Sequence, residues 1–213
     1  MPETFHTPEG IILIGPPGSG KSSHTSKLGE LEGSVIIRGR NIVPDQVSKY
    51  EGQRALIPED VFIPSLREAL TQIPKTLERI VFDNIPRSTL QAEVVVDWAI
   101  VSGTKLTTIA LELTEEEVSR RFRERTACPD CNSSYHDVLK PSAVAGFCDK
   151  DQTPLVKRAG DKPENVAHAY RRHEELVRAI KDPLAKAGAF YEISAEGKID
   201  DAFKRIASAL GLQ

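Results

Sequence analysis

Residues 11–23 read Ile-Ile-Leu-Ile-Gly-Pro-Pro-Gly-Ser-Gly-Lys-Ser-Ser. A short apolar run ends at Gly15, and Gly20, Lys21 and Ser22 complete the spacing G-x-x-x-x-G-K-[ST] of a phosphate-binding loop. The residue types follow from the chemistry. Several backbone N–H groups must meet phosphate oxygens at once, and only glycine lets the chain curl so tightly and approach so closely. The helix expected from Ser22 to Leu31 points its N-terminal N–H groups at the same anion. Gly18, Ser19 and Gly20 shape the loop, Lys21 brings a mobile positive charge, and Ser22 or Ser23 offers a hydroxyl to Mg²⁺. A buried strand before the loop and a helix after it set the motif apart from a chance glycine-rich turn. The stretch implies nucleotide binding and leaves open what receives a phosphate.

Working outward, further strands are expected at Val35–Ile37, Arg79–Asp83, Thr107–Leu113 and Ala189–Ile193. Helices are expected near residues 45–51, over 61–72, from Thr89 to Gly103, after Thr114, over 164–181 and from Asp200 to Leu210. Ser88-Thr89-Leu90-Gln91 and Thr114-Glu115-Glu116-Glu117 have the spacing of capping boxes. Alternating strands and helices predict an α/β fold: a P-loop NTPase-type parallel β-sheet core with helices on both faces. Asp83 closes a strand, where an acid reaches Mg²⁺ directly or through water, or else caps the following turn.

The 213 residues suit one α/β domain with an inserted lobe. A net charge of −3 argues against general nucleic-acid binding. No apolar run is long enough for a membrane span, and the first residues lack the pattern of a secretory signal, so a cytoplasmic enzyme is expected, and a monomer because its lobes must move freely. The three cysteines cluster late in the chain, which suits a metal site better than a disulfide framework.

Residues 127–157 interrupt the α/β rhythm with two knuckles, Cys128-x-x-Cys131 and Cys148-x-x-Asp151. Zn²⁺ takes four ligands in a tetrahedron, and thiolates suit it. Asp151 is favoured as the fourth ligand because its spacing mirrors the first knuckle; His136 competes for the place. Four protein ligands leave no open position, so the metal is expected to be structural.

Taken together, these features make the chain resemble the adenylate kinases of the zinc-bearing, long-lid type. The carriers are the phosphate loop, Phe82-Asp83-Asn84-Ile85-Pro86-Arg87, Arg121-x-x-x-Arg125, the cysteine lobe with Tyr135-His136, and Lys157-Arg158-x-x-Asp161. The resemblance implies a nucleoside monophosphate kinase moving the γ-phosphate of ATP to a monophosphate, AMP first. It divides the chain into a core (10–37, 58–126, 158–213), a monophosphate-binding lobe (38–57) and a zinc lid (127–157). It also implies that Lys21 and the loop hold the ATP phosphates. Arg121 and Tyr135 would lie in the ATP site, and Arg125 and Arg158 would reach the transferring phosphoryl group. Arg87, Gln91, Asn84, Ile57 and Arg38 would serve the acceptor; Gln91 has a helix-capping reading as well.

The departures fall on the acceptor side. The stretch Arg38-Gly39-Arg40-Asn41-Ile42-Val43 has Val43 where the family carries an arginine, and a second family arginine aligns with Ala169. Asn84 stands in place of a glycine. Arg38 and Arg40 are candidates to restore the missing charge. Two other readings remain: an ATP-binding protein of regulatory or scaffold type with little transfer, and a kinase for another monophosphate or a non-nucleotide acceptor.

Overall fold

The computed structural model describes residues 8–44, 57–74 and 76–212. The helix expected near residues 45–51 lies outside them. Five strands form one sheet: β1 (Glu9–Ile14), β2 (Ser34–Arg38), β3 (Arg79–Asp83), β4 (Lys105–Glu112) and β7 (Gly188–Ser194), in the spatial order β2-β3-β1-β4-β7. The pairings of β1 with β3, β1 with β4 and β2 with β3 are parallel. The apolar run before the phosphate loop explains why β1 sits in the middle. Ile11, Ile12 and Leu13 point alternately to opposite faces, yet each is at most 2% exposed. A strand buried on both faces reads as a continuous apolar run, as expected for a parallel sheet.

The helices begin and end where side chains satisfy their terminal groups. Helix α1 (Lys21–Gly29) follows the phosphate loop directly, α2 (Gly39–Ile42) is a single turn, and α3 is Glu59–Thr71. Ser88 Oγ accepts from Gln91 N at 3.1 Å to open α4 (Thr89–Ser102), and Gly103 at φ 71° closes it. Thr114 caps α5 (Glu115–Glu124) through Glu117 N, as its spacing implies. Helix α6 (Pro163–Ala187) runs past the end expected at residue 181 and through Pro183. Ile180 and Leu184, one turn apart, are buried in the core, and that burial outweighs the one helical hydrogen bond proline cannot make. Helix α7 (Ile199–Ala209) is the last.

The chain gathers into two compact units. One takes in the described parts of Met1–Ile14, Lys21–Ala110 and Leu176–Glu192, with the core built on Ile12, Phe82, Leu66, Val95 and Ile180. The other comprises Gly15–Gly20, Leu111–Glu175 and the described part of Ile193–Gln213, and includes the small hairpin of β5 (Arg125–Ala127) and β6 (Ser134–His136).

Candidate active site

In the first unit, charge collects at the carboxyl ends of the strands, where open α/β sheets bind their ligands. The register of β2 on β3 sets Arg38 beside Asp83. Arg38 Nε lies 3.3 Å from Asp83 Oδ2; the Asp83 side chain is 9% exposed and that of Arg38 31%. Lys21 opens α1 close enough to this edge for Asp83 and Arg87 to act on it. Burial pushes its ammonium down to about 8, Asp83 pulls it upward, and Arg87 pushes it further down. Arg38 thus pairs with the buried Asp83 carboxylate, and Lys21 feels both that carboxylate and Arg87.

Asn84 follows with φ 60°, in the left-handed region that glycine enters freely and asparagine tolerates better than most residues. The backbone a glycine would adopt here is therefore kept despite the side chain. Gln91 is buried, and its Oε1 accepts from Arg87 N at 2.8 Å. The capping role is real but shifted by one residue, since a capping box would engage the N–H of Ser88. The Gln91 carbonyl oxygen is committed to the backbone that carries Arg87. Ile57 packs at the margin of the core and Val43 is buried inside it, so Val43's side chain belongs to the packing. Arg40 is exposed.

In the second unit, the loop segment Gly15–Gly20 has the close packing its glycines imply. A Cβ on Gly15 would stand 2.8 Å from Leu111 Cβ and 2.7 Å from Ser19 Oγ. Gly18 and Gly20 have φ 77° and 85°. The Ser19 hydroxyl is buried with no partner among the described residues, in keeping with a loop shaped to enclose phosphate oxygens. Arg121 is only 5% exposed. It donates from Nη1 to Gly18 O at 3.0 Å, from Nη2 to Ala195 O at 2.8 Å and from Nε to Glu117 at 2.7 Å. Its guanidinium therefore braces the phosphate loop from below α5. Glu117, hydrogen-bonded to Arg120 and to Arg121, is held down at about 2.

Arg125 lies over the Phe122 ring, 4.1 Å from its centroid, and makes a two-pronged ion pair with Asp161. Arg158 Nη2 donates to Asn132 O at 2.5 Å. Burial, followed by the charge of Arg125, lowers the Arg158 pKa, while Asp161 opposes both. Arg125, Arg158 and Asp161 accordingly form one electrostatic group. Asp161 was visible in the sequence as the end of Lys157-Arg158-x-x-Asp161 but carried no role; Glu117 looked like a cap alone.

The cysteine lobe is built from two copies of one turn. In the first, Asn132 N donates to Cys128 O at 3.1 Å and Cys128 N to Ser133 O at 2.9 Å. In the second, Gln152 N donates to Cys148 O and Cys148 N to Thr153 O, both at 2.9 Å. Asn132 and Gln152 occupy equivalent positions with φ 58° and 59°. The turns bring Cys128, Cys131, Cys148 and Asp151 together, with their ligand atoms within 4.8 Å of one another. Cys131 Sγ is 3.5 Å from Cys148 Sγ, and Cys128 Sγ is 3.4 Å from Asp151 Oδ2. Tetrahedral zinc with Zn–S near 2.3 Å needs ligand separations of roughly 3.3–3.8 Å, and these two separations fall in that range. His136 is elsewhere: its Nδ1 accepts from Val138 N and Leu139 N at 3.2 Å, and its Nε2 faces Glu124. Tyr135 is buried beside the knuckles, where its hydroxyl accepts from Asp149 N at 2.8 Å and lies 3.4 Å from Cys148 Sγ. It helps to hold the second knuckle in place.

A phosphate loop between β1 and α1, an acid ending the adjacent strand and cations around it define a nucleotide-binding protein of the P-loop α/β class. Residues 125–159 match the family described as the adenylate kinase active site lid. The adenylate kinase of Ruminiclostridium cellulolyticum is 24% identical over 95% of this chain and 99% of its own length. That of Archaeoglobus fulgidus is 28% identical over 94% and 97%, and that of Thermococcus kodakarensis 29% over 92% and 91%. In its lid and over nearly its full length the chain is similar to adenylate kinases. No helix of the described residues is long and apolar enough to cross a membrane.

Proposed function

We propose that the protein transfers the γ-phosphate of MgATP to a nucleoside monophosphate, with AMP as the acceptor and ADP as both products. The observation that carries this reading is the grouping of Lys21, Asp83 and Arg87 at the strand ends of a chain whose residues 125–159 match an adenylate kinase lid. The relatives' names supply the acceptor. Phosphoryl transfer asks a protein for positioning and charge neutralisation more than for covalent chemistry. In this reading Gly18, Ser19 and Gly20 wrap the ATP phosphates, with Lys21 on the outer ones. Ser22 or Ser23 and Asp83 hold the magnesium that accompanies ATP. Arg87 and Arg38 meet the acceptor's phosphate, while Asn84, Ile57 and the amide nitrogen of Gln91 lie along its nucleoside. Arg125 and Arg158 exchange Asp161 and Asn132 O for the transferring phosphoryl group. Arg121 serves the ATP site through the loop it braces, and Tyr135 through the lobe it orders.

The domain division follows: a core, a monophosphate-binding lobe at 38–57 and a lid at 127–157 carrying structural Zn²⁺ on Cys128, Cys131, Cys148 and Asp151. The enzyme is expected to be a cytoplasmic monomer that binds no nucleic acid. Coupled measurement of ADP formation from MgATP, in parallel with AMP, GMP, CMP, UMP and no acceptor, tests the assignment. A strong rise with AMP is expected. Val43 buried in the core and Ala169 in place of a family arginine favour a second reading, ATP binding with little transfer. Absence of any acceptor-dependent ADP from protein that binds ATP would select it.

A further inference from the structure

Asp83 is a buried carboxylate with two claimants. One is the Arg38 guanidinium, 3.3 Å away across the strand ends. The other is the magnesium that accompanies ATP, which the reading above assigns to the same carboxylate. A carboxylate 9% exposed has little room to serve a guanidinium and a hydrated dication together. The two charges also repel each other at this distance.

Arg38 can leave where Asp83 cannot. Asp83 is fixed by core strand β3, which is hydrogen-bonded on both sides. Arg38 ends β2, the edge strand of the sheet, and its side chain is 31% exposed. It also borders an open groove of about 480 Å³ lined by Ile37, Asn41, Ile42 and Gln72. The displaced guanidinium has open space beside it in that groove, whose lining also includes Glu68, and it remains at the end of the strand next to the one that carries Asp83. A dianionic monophosphate is the ligand such a planar, permanently charged fork recognises best.

We propose that Arg38 and the Mg²⁺ of MgATP compete for Asp83, and that the displaced guanidinium becomes a ligand of the acceptor's phosphate. The inference rests on the kinase reading and adds an order to it: metal-nucleotide binding primes the acceptor site. Linkage makes the effect reciprocal, so the acceptor strengthens MgATP binding by the same factor.

The test is calorimetric titration of AMP into protein saturated with a non-hydrolysable ATP analogue. It is run with Mg²⁺ and with Mg²⁺ omitted rather than chelated, so that the lobe metal is untouched. Wild-type protein is expected to bind AMP about fivefold or more tightly when Mg²⁺ is present. Arg38→Met should bind AMP more weakly than wild type and lose the Mg²⁺ response. Arg38→Lys, which keeps the charge but not the fork, should fall between. An Arg38→Met protein with wild-type AMP affinity, or with an undiminished Mg²⁺ response, overturns the inference. Turnover of the wild type with AMP, measured in parallel, separates the two levels. A wild type that transfers but shows no Mg²⁺ effect on AMP binding overturns the inference alone. A wild type that neither binds nor phosphorylates AMP overturns both.

Discussion

The cysteine lobe and the strand-end charge cluster are both polar sites, but they are held together in opposite ways. In the lobe, two turns with the same pair of backbone hydrogen bonds bring four ligand atoms together before any metal is considered. At the strand ends, Arg38 pairs with Asp83 while Lys21 lies within reach of Asp83 and Arg87, and burial already drives Lys21 toward neutrality. The lobe is complete once one ion is bound. The strand ends gather several cations among the described residues, which suits them to an anion. The first arrangement suits a structural role and the second suits binding and release.

Losing a ligand should therefore cost the lobe more than any change elsewhere. Cys148 is fully buried, and Cys148→Ser is expected to abolish stoichiometric metal binding. Structural zinc sites contribute about 10–16 kcal/mol of apparent binding energy to folding, so the lobe's order should go with the metal. Metal analysis and amide hydrogen exchange over residues 125–159 report both. His136→Ala should keep the metal, because His136 is turned toward Glu124 and away from the cluster. Retention of one metal per chain in Cys148→Ser would remove the contrast between the two sites.

At the strand ends the largest effect is expected from Lys21→Met, with kcat reduced by about 10²–10³ and an unchanged far-ultraviolet spectrum. A loss below tenfold would mean that Arg87 and the loop amides suffice for the phosphates.

The two regions also differed in how far the sequence disclosed them. The phosphate loop and the knuckles are local: each is a fixed spacing of residue types with one geometric solution. The caps at Ser88 and Thr114 were legible for the same reason. Asp151 was legible over His136 because the second knuckle repeats the first, and the repetition extends to the hydrogen bonds. The Arg38–Asp83 pair was not legible. It depends on β2 lying beside β3 in a register that ends both strands together, across 45 positions of sequence. The inward turn of Arg121 was hidden for a different reason. A run of arginines on a helix does not say which of them turns inward, and only packing against Gly18 and Ala195 decides it. The helix expected over 164–181 was too short, since burial of Ile180 and Leu184 is a tertiary effect that carries it through Pro183 against local propensity.

The depressed Lys21 pKa gives the strand ends a pH dependence of their own. In the ligand-free fold the ammonium titrates near 8, below its ordinary value of 10.5. Between those values the unfolded chain holds the proton more tightly, so this group makes ligand-free stability rise with pH. Phosphate binding favours the charged form, so ATP affinity should fall as pH rises through 8, and binding there should take up a proton. Calorimetry in two buffers of different ionisation enthalpy measures that uptake. Lys21→Met should show neither effect, and Asp83→Asn should move the transition to lower pH, because Asp83 is what pulls the ammonium upward. A pH-independent affinity in the wild type would mean that burial does not depress the Lys21 ammonium.

The smallest effect tests whether the lobe's turns contribute stability apart from the metal. Asn132 and Gln152 hold equivalent left-handed positions at φ 58° and 59°. Asparagine tolerates that region through local hydrogen bonding; glutamine has no such compensation and bears a cost of about 1 kcal/mol or more. Glycine relieves the cost but adds freedom to the unfolded chain, which returns roughly half of it. Gln152→Gly should therefore stabilise the lobe by less than about 1 kcal/mol, and Asn132→Gly should be neutral or slightly destabilising. Denaturant titration followed by hydrogen exchange in the lobe distinguishes them. Since the two turns share the same pair of backbone hydrogen bonds, an equal response from both would show that the metal alone sets the lobe's stability and that the turns only present its ligands.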